Sequence, residues 1–238
     1  VLLGEIAESA RDVDFAMRWG FGSKQGPFEI WQEAGWKQVA EWVKADIDAG
    51  KALSTAPLPA WVFDGQVAQN AGVHTAEGSW SAKEGKFIPI RDLPVYKRQY
   101  FRENVLGANA PDAKTAGKTL FEDAAIRLWT LDDEVVIASI KSKMHTISPE
   151  VTSRLAKGLE IAEAGYKGLV IWSYDGPFSA GADLQSMMPA FMAGGGKAIA
   201  PFEKQLQDFM LSLRYSNVPT VAAMHGLALG GGCELAVH

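Results

Sequence analysis

Apolar positions in the first fifty residues recur at helical spacing. Ile6, Val13, Phe15, Ala16 and Trp19 outline one apolar face, which Gly20 and Gly22 stop. Pro27 stands where a second helix begins, followed by Phe28, Ile30 and Trp31, and Gly35 breaks it. Trp36, Val39, Ala40 and Val43 fall three and four apart and predict a third helix that Gly50 ends. The segment reads as helix-packing material without a titratable cluster. Phe15, Trp19, Phe21, Phe28, Trp31 and Trp36 read as core residues.

Residues 51–118 have a different pattern. Pro57 and Pro59 interrupt the start, Trp61-Val-Phe is a short apolar run, and Thr75 to Gly85 is polar and loop-like. Phe87-Ile-Pro-Ile and Pro94-Val-Tyr suggest extended chain. A partly extended linker is expected, with Trp61, Trp80, Tyr96 and Tyr100 as anchors against a neighbouring domain.

From residue 119 the pattern is mixed α/β. Ile126 to Trp129 and Val135 to Ile140 predict two strands joined as a hairpin at Leu131-Asp-Asp-Glu. Pro149 and Glu150 start a helix with Val151, Leu155, Leu159 and Ala162 on one face, and Gly165 ends it. Gly168-Leu-Val-Ile-Trp is an apolar strand of the kind covered on both faces. Ala182 to Met188 start a helix that Pro189 is expected to disrupt. After Gly194 to Gly196, the spacing of Phe202, Leu206, Phe209, Met210 and Leu213 predicts a longer helix, and Thr220 to Met224 a buried strand. Strand, crossover helix and strand imply parallel pairing with a right-handed connection.

Composition narrows the class. With 238 residues, 47% hydrophobic and 21% charged, the chain is globular. A net charge of -5 argues against a nucleic-acid partner engaged through a broad basic surface, yet leaves room for a local patch that holds a phosphorylated cofactor. The single cysteine, Cys233, excludes an intrachain disulfide and is read as a small buried residue. No apolar run is long enough for a membrane span and no signal segment opens the chain, so a cytoplasmic location is the default. His145 and His225 lack ligand-like spacing to a second His or Cys, so no metal site is expected.

Two loops carry the candidate chemistry. Each follows an apolar strand and starts a helix with small residues: Ser179-Ala-Gly-Ala-Asp, and Leu229-Gly-Gly-Gly-Cys-Glu. Glycine costs about 1 kcal/mol relative to alanine in a helix, so Gly230, Gly231 and Gly232 call for a reason such as close approach of backbone to a ligand. If the strands are parallel neighbours, both loops emerge at the carboxyl edge of the sheet, where open α/β layers bind ligands. One backbone N–H from each loop then converges on one oxygen, the arrangement that stabilises an enolate formed from a thioester. Glu234 follows in the first turn as a candidate general acid or base. Taken singly, each feature also has a structural reading: a tight turn for the glycines, a loop brace for Asp183, and an ordinary first-turn acid for Glu234.

Phe178-Ser-Ala-Gly-Ala-Asp-Leu together with His225-Gly-Leu-Ala-Leu-Gly-Gly-Gly-Cys-Glu-Leu-Ala resembles the paired signature segments of the crotonase, or enoyl-CoA hydratase/isomerase, superfamily. The resemblance covers about residues 120–238. It implies an oxyanion hole from the backbone N–H groups of Ala182 and Gly231, catalysis by Glu234, and acyl-CoA contacts at Ala180, Gly181, Ala182, Asp183 and Gly230. The hydratases of the family use a second glutamate at a position beyond His238. His145 stands where family members often carry Asn. Asp14-Phe-Ala-Met-Arg-Trp-Gly-Phe-Gly-Ser-Lys-Gln-Gly-Pro-Phe-Glu-Ile is similar to the C-terminal helical domain of 3-hydroxyacyl-CoA dehydrogenases.

The expected fold is α/β: an incomplete crotonase-like ββα spiral over 119–238, preceded by an all-α fragment over 1–50 and a linker over 51–118. Together the resemblances imply a piece of a multifunctional fatty-acid β-oxidation protein, an enoyl-CoA hydratase and 3-hydroxyacyl-CoA dehydrogenase. Acyl-CoA is the substrate, and NAD serves a dehydrogenase part whose Rossmann motif is not in these residues. A homo-oligomer or multienzyme complex is the expected assembly. Enoyl-CoA isomerisation, CoA-thioester hydrolysis and a non-catalytic scaffold role are the alternatives. A piece ending at His238 is itself expected to be inactive and poorly soluble.

Overall fold

Residues 2–107 and 111–238 are described by the computed structural model, which divides into two units, Val1–Pro111 and Asp112–His238. The first unit opens with α1 (Leu3–Ile6), α2 (Ala10–Phe21), α3 (Pro27–Glu33) and α4 (Trp36–Asp48). Local chemistry sets the boundaries. Asp12 accepts the Ser9 N–H at 2.8 Å at the start of α2, Pro27 occupies the first turn of α3, and Gly22, Gly35 and Gly50 take positive φ at the breaks.

The face of α2 differs from the sequence expectation. Ile6, Trp19 and Phe21 are 69%, 65% and 78% exposed, while Ala10, Arg11 and Asp14 are buried. The apolar periodicity pointed to the wrong face because the polar partners of Asp14 and Arg11 come from other elements: Phe28 and His74 for Asp14, and Ile88 for Arg11. Trp36, by contrast, lies in the core with Trp31 stacked on it at 4.4 Å.

Residues 51–107 pack on these helices. They form a 3-10 turn at Ala60–Val62, α5 (Gly65–Gln69), the antiparallel hairpin β1 (Ser79–Ser81) and β2 (Lys86–Ile88), and α6 (Pro94–Lys97). Val62, Val67, Val73 and Trp80 share one core with Leu3, Ala10, Trp36 and Ala40. Trp36 donates from Nε1 to the Val62 carbonyl at 2.9 Å. The polar stretch from Thr75 to Gly85 hides the buried strand β1, because the hydroxyls of Ser79 and Ser81 find partners in His74 and the Glu84 N–H. Tyr100 is 70% exposed and anchors nothing in this core.

The second unit is mixed α/β. Its sheet runs β3 (Lys118–Glu122), β4 (Ile126–Thr130), β5 (Val136–Ile140), β6 (Leu169–Ile171) and β7 (Thr220–Ala222) in that spatial order. The first three strands pair antiparallel, while β5–β6 and β6–β7 are parallel. Helix α7 (Pro149–Gly165) buries Val151, Leu155, Leu159 and Ala162, the predicted face. Its Gly158 seats Leu128, whose Cδ2 is 2.9 Å from where a Cβ would stand. Helix α8 (Leu184–Gly194) continues through Pro189, which is itself exposed. Helix α9 (Gly196–Arg214) buries Phe209, Met210 and Leu213, and α10 (Gly231–Val237) follows β7. Strand β7 lies at the sheet edge with Val221 53% exposed, so it is not the buried strand its composition predicts. No helix among the described residues is long and apolar enough to cross a membrane.

Candidate active site

Parallel β5, β6 and β7 send the two small-residue loops out along one edge, and the loops pair directly. Ser179 bridges Ala228 in parallel register, with Ser179 N–H donating to Leu227 O at 3.2 Å and Leu229 N–H to Ser179 O at 3.0 Å. A third segment braces the first loop: Ile147 N–H donates to Gly181 O at 2.8 Å, and Asp183 N–H to Ile147 O at 2.9 Å. The Ser179 hydroxyl donates to His145 O at 2.7 Å and accepts the Gly181 N–H at 3.1 Å.

The glycines of the two loops differ in what holds them. Gly181 has φ +96, and a Cβ there would stand 2.7 Å from Leu229 O. Gly230 has φ +47 and opens α10. Gly231 lies against the first loop, where a Cβ would make ordinary contact at 3.6 Å from Ala182 N, while a Cβ on Gly181 would lie 3.3 Å from Gly231 N. Gly232 lies flat on Ser179, whose Cβ would be 2.6 Å away.

Almost every other backbone N–H in the two loops is spoken for. Those of Ser179, Ala180, Gly181, Asp183, Leu229, Gly232, Cys233 and Glu234 donate to protein oxygens. Those of Ala182, Gly230 and Gly231 donate to none among the described residues. Ala182 and Gly231, the two donors that the family resemblance implies, are among them. Asp183 caps α8, its carboxylate accepting the N–H groups of Gln185 at 3.1 Å and Ser186 at 3.4 Å. Glu234 lies in the first turn of α10, exposed, with no ion pair or side-chain hydrogen bond among the described residues. Cys233 is exposed rather than buried, since α10 turns it away from the loop contact made by Gly232.

A cavity of about 500 Å³ adjoins the brace, lined by Lys114, Lys141, Lys143, His145, Tyr174 and Asp175 among others. His145 is nearly buried, with Nδ1 2.6 Å from Pro177 O and Nε2 3.2 Å from Asp175 Oδ1. Lys141 pairs with Glu122 at 2.7 Å, whereas Lys114 and Lys143 have no carboxylate partner among the described residues. Arg127 holds the Lys114 segment in place by donating to the carbonyls of Ala113, Lys114 and Ala116. Sequence reasoning missed this basic rim, because Lys114 is far in the chain from Lys141 and Lys143. No group of three or more His, Cys, Asp or Glu residues poised for a metal occurs among the described residues.

Two loops thus meet at the carboxyl edge of parallel strands, with unengaged N–H groups at Ala182 on the first and at Gly230 and Gly231 on the second among the described residues. Residues 134–238, within the second unit, match the Enoyl-CoA hydratase/isomerase family model. The "Probable 3-hydroxyacyl-CoA dehydrogenase" of Bacillus subtilis is 30% identical over 233 residues, covering 98% of this chain and 27% of that protein. The fatty acid oxidation complex subunit alpha of Colwellia psychrerythraea is 36% identical over 69 residues, 29% of this chain and 9% of that protein. An enoyl-CoA hydratase structure from Polaromonas sp. JS666 aligns with a TM-score of 0.42 and 27% identity, covering 47% of this chain and 44% of that one. The chain therefore spans about a quarter of the length of the Bacillus relative, and that match runs through both units.

Proposed function

We propose that the second unit contributes to hydration of a trans-2-enoyl-CoA to the 3-hydroxyacyl-CoA, within a bifunctional protein that also oxidises the product with NAD. The observation that carries this reading is that the N–H groups of Ala182 and Gly231, on two loops locked together by backbone hydrogen bonds, have no acceptor among the described residues. A thioester oxygen seated between them gains negative charge as water adds across the conjugated double bond. Fixed donors then favour the enolate over the ground state, and loss of one such donor costs roughly 3–4 kcal/mol in comparable sites.

Glu234, without an ion pair or side-chain hydrogen bond among the described residues, exchanges the proton with water or substrate carbon. Ala180, Gly181, Asp183 and Gly230 shape the backbone around the thioester rather than reacting with it. Lys114 and Lys143 supply positive charge for the phosphates of the CoA carrier at the cavity beside His145. Hydride transfer and NAD belong to a part of the bifunctional protein outside these residues. The name of the Bacillus relative and its match across both units support that pairing of activities. The name of the Colwellia relative supports assembly into a multienzyme complex.

The same oxyanion pair serves isomerisation or thioester hydrolysis, and the second carboxylate of the hydratases, beyond His238, separates these chemistries. The test is a hydration and NAD-reduction assay of the full-length protein with short and long enoyl-CoA substrates. Hydration followed by NAD reduction supports the proposal. Double-bond migration or free CoA release without hydration overturns it.

A further inference from the structure

His145 is held between two groups that both accept hydrogen bonds. Its Nδ1 lies 2.6 Å from the carbonyl oxygen of Pro177 and its Nε2 lies 3.2 Å from Asp175 Oδ1, with the ring nearly buried. A carbonyl and a carboxylate each call for an N–H, and a neutral imidazole has only one. With that proton on Nδ1, the Nε2 lone pair faces the carboxylate, so the imidazolium alone satisfies both contacts. The Asp175 side chain is 69% exposed and is free to swing into solvent when the ring is neutral.

The backbone of the same residue grips the far end of the loop that leads to Ala182. Met144 and His145 are consecutive residues other than glycine in the left-handed region, at φ +55 and +51. Such strain persists only where surrounding contacts enforce it. Here it turns two successive carbonyls onto the first small-residue loop. Met144 O accepts the Ala180 N–H at 3.1 Å, and His145 O accepts the Ser179 hydroxyl at 2.7 Å. The ring therefore fixes the chain at Asp175 and Pro177, and the carbonyls fix it at Ser179 and Ala180, just before the Ala182 N–H. The other titratable groups on the cavity wall beside the ring are Lys114, Glu122, Lys141, Lys143 and Tyr174. Glu122 pairs with Lys141, and His225, near Gly176, donates from Nε2 to Ser173 O at 3.0 Å, which leaves Asp175 as the carboxylate in contact with His145.

We propose that His145 is a positioning residue whose imidazolium clamps the loop carrying the Ala182 donor, so that the order of this loop follows the protonation of one ring. The catalytic consequence rests on the reading of Ala182 as an oxyanion donor, whereas the clamp itself does not. Hydrogen exchange of the full-length protein over residues 178–183, corrected for the intrinsic rate, tests the clamp between about pH 5 and 8, where imidazole side chains change charge. Protection of the loop is expected to fall by about tenfold as pH rises, with the amides of α9 unaffected. Asp175→Asn offers an amide that donates to a neutral ring or accepts from a charged one, and should make the protection independent of pH. His145→Asn keeps one neutral donor for Pro177 O and should also hold protection at a single level. Across the same range, hydration by the unmodified protein should fall at least about threefold relative to Asp175→Asn, because the donor loses its fixed position. Protection that is flat with pH in the unmodified protein, or that falls equally in Asp175→Asn, overturns the clamp. A constant ratio of hydration rates overturns its positioning of Ala182. The exchange step without any hydration supports the clamp and overturns the hydratase reading.

Discussion

Gly232 rests on Ser179 so closely that a Cβ at position 232 would meet the Ser179 Cβ at 2.6 Å, its Oγ at 2.8 Å and its carbonyl oxygen at 2.9 Å. Two of those atoms belong to groups that are themselves fixed. Ser179 O accepts from Leu229 N–H, and Ser179 Oγ ties together His145 and Gly181. Gly232→Ala therefore has nowhere to push. A stability loss of about 1–3 kcal/mol is expected, together with loss of acyl-CoA binding as the loops part. Gly230→Ala meets nothing within 4 Å and is strained only by its φ of +47, so about 1 kcal/mol is expected there. Denaturant melts of the two variants check this order.

Ser179→Ala removes a buried hydroxyl that satisfies His145 O and Gly181 N–H. Leaving both unpaired should cost about 1–3 kcal/mol. The amide of Gly181 should lose hydrogen-exchange protection, while amides of α9 should keep theirs. Uniform loss across the second unit would show that Ser179 supports the whole fold rather than the loop pair.

In the first unit, Asp14 accepts from Phe28 N–H at 2.8 Å and lies 2.6 Å from His74 Nε2, with His74 Nδ1 2.8 Å from Ser79 Oγ. All three side chains are buried. Asp14→Ala strands Phe28 N–H and His74 together and is expected to destabilise this unit by about 3–5 kcal/mol. A melting transition that splits in two, with only the earlier one shifted by the mutation, is the expected calorimetric result.

Acid sensitivity has a specific source in the second unit. Partial burial tends to raise the pKa of Asp123, but the hydrogen bond from Arg154 and those from the N–H groups of Ile126 and Ala125 outweigh it and hold the carboxyl below its usual value. Its folded pKa lies under the unfolded one, so the stabilisation is complete above about pH 4 and disappears as pH falls through the folded value. Arg154→Met should move the acid-unfolding midpoint upward. An unchanged midpoint would assign the acid response to other carboxylates.

The sequence revealed what rests on local period and paired motifs. The α7 face, the β4–β5 hairpin, the parallel β6 and β7, and the two loops all follow from residues adjacent in the chain. What depended on distant partners stayed hidden. The buried Arg11 and Asp14 face of α2 was masked by Trp19 and Phe21, whose exposure no helical period forecasts. Strand β1 read as a loop because its serines satisfy each other's neighbourhood through His74 and Glu84. The basic rim near His145 needs Lys114, Lys141 and Lys143 brought together by Arg127 and the sheet. For the candidate site, the sequence pointed to the glycines as a group, whereas the structure separates them into a loop contact at Gly231, a packing contact at Gly232 and a backbone turn at Gly230.

Replacing Glu234 by Gln in the full-length protein tests the central claim most directly, because it removes the proton-exchanging group while leaving the loop contacts of Gly231 and Gly232 in place. The account predicts that hydration of a short enoyl-CoA falls by at least about a hundredfold, in the range typical of a lost general acid or base, while affinity for the acyl-CoA and oxidation of the 3-hydroxyacyl-CoA by NAD are unchanged. A variant that hydrates at the parent rate would contradict it.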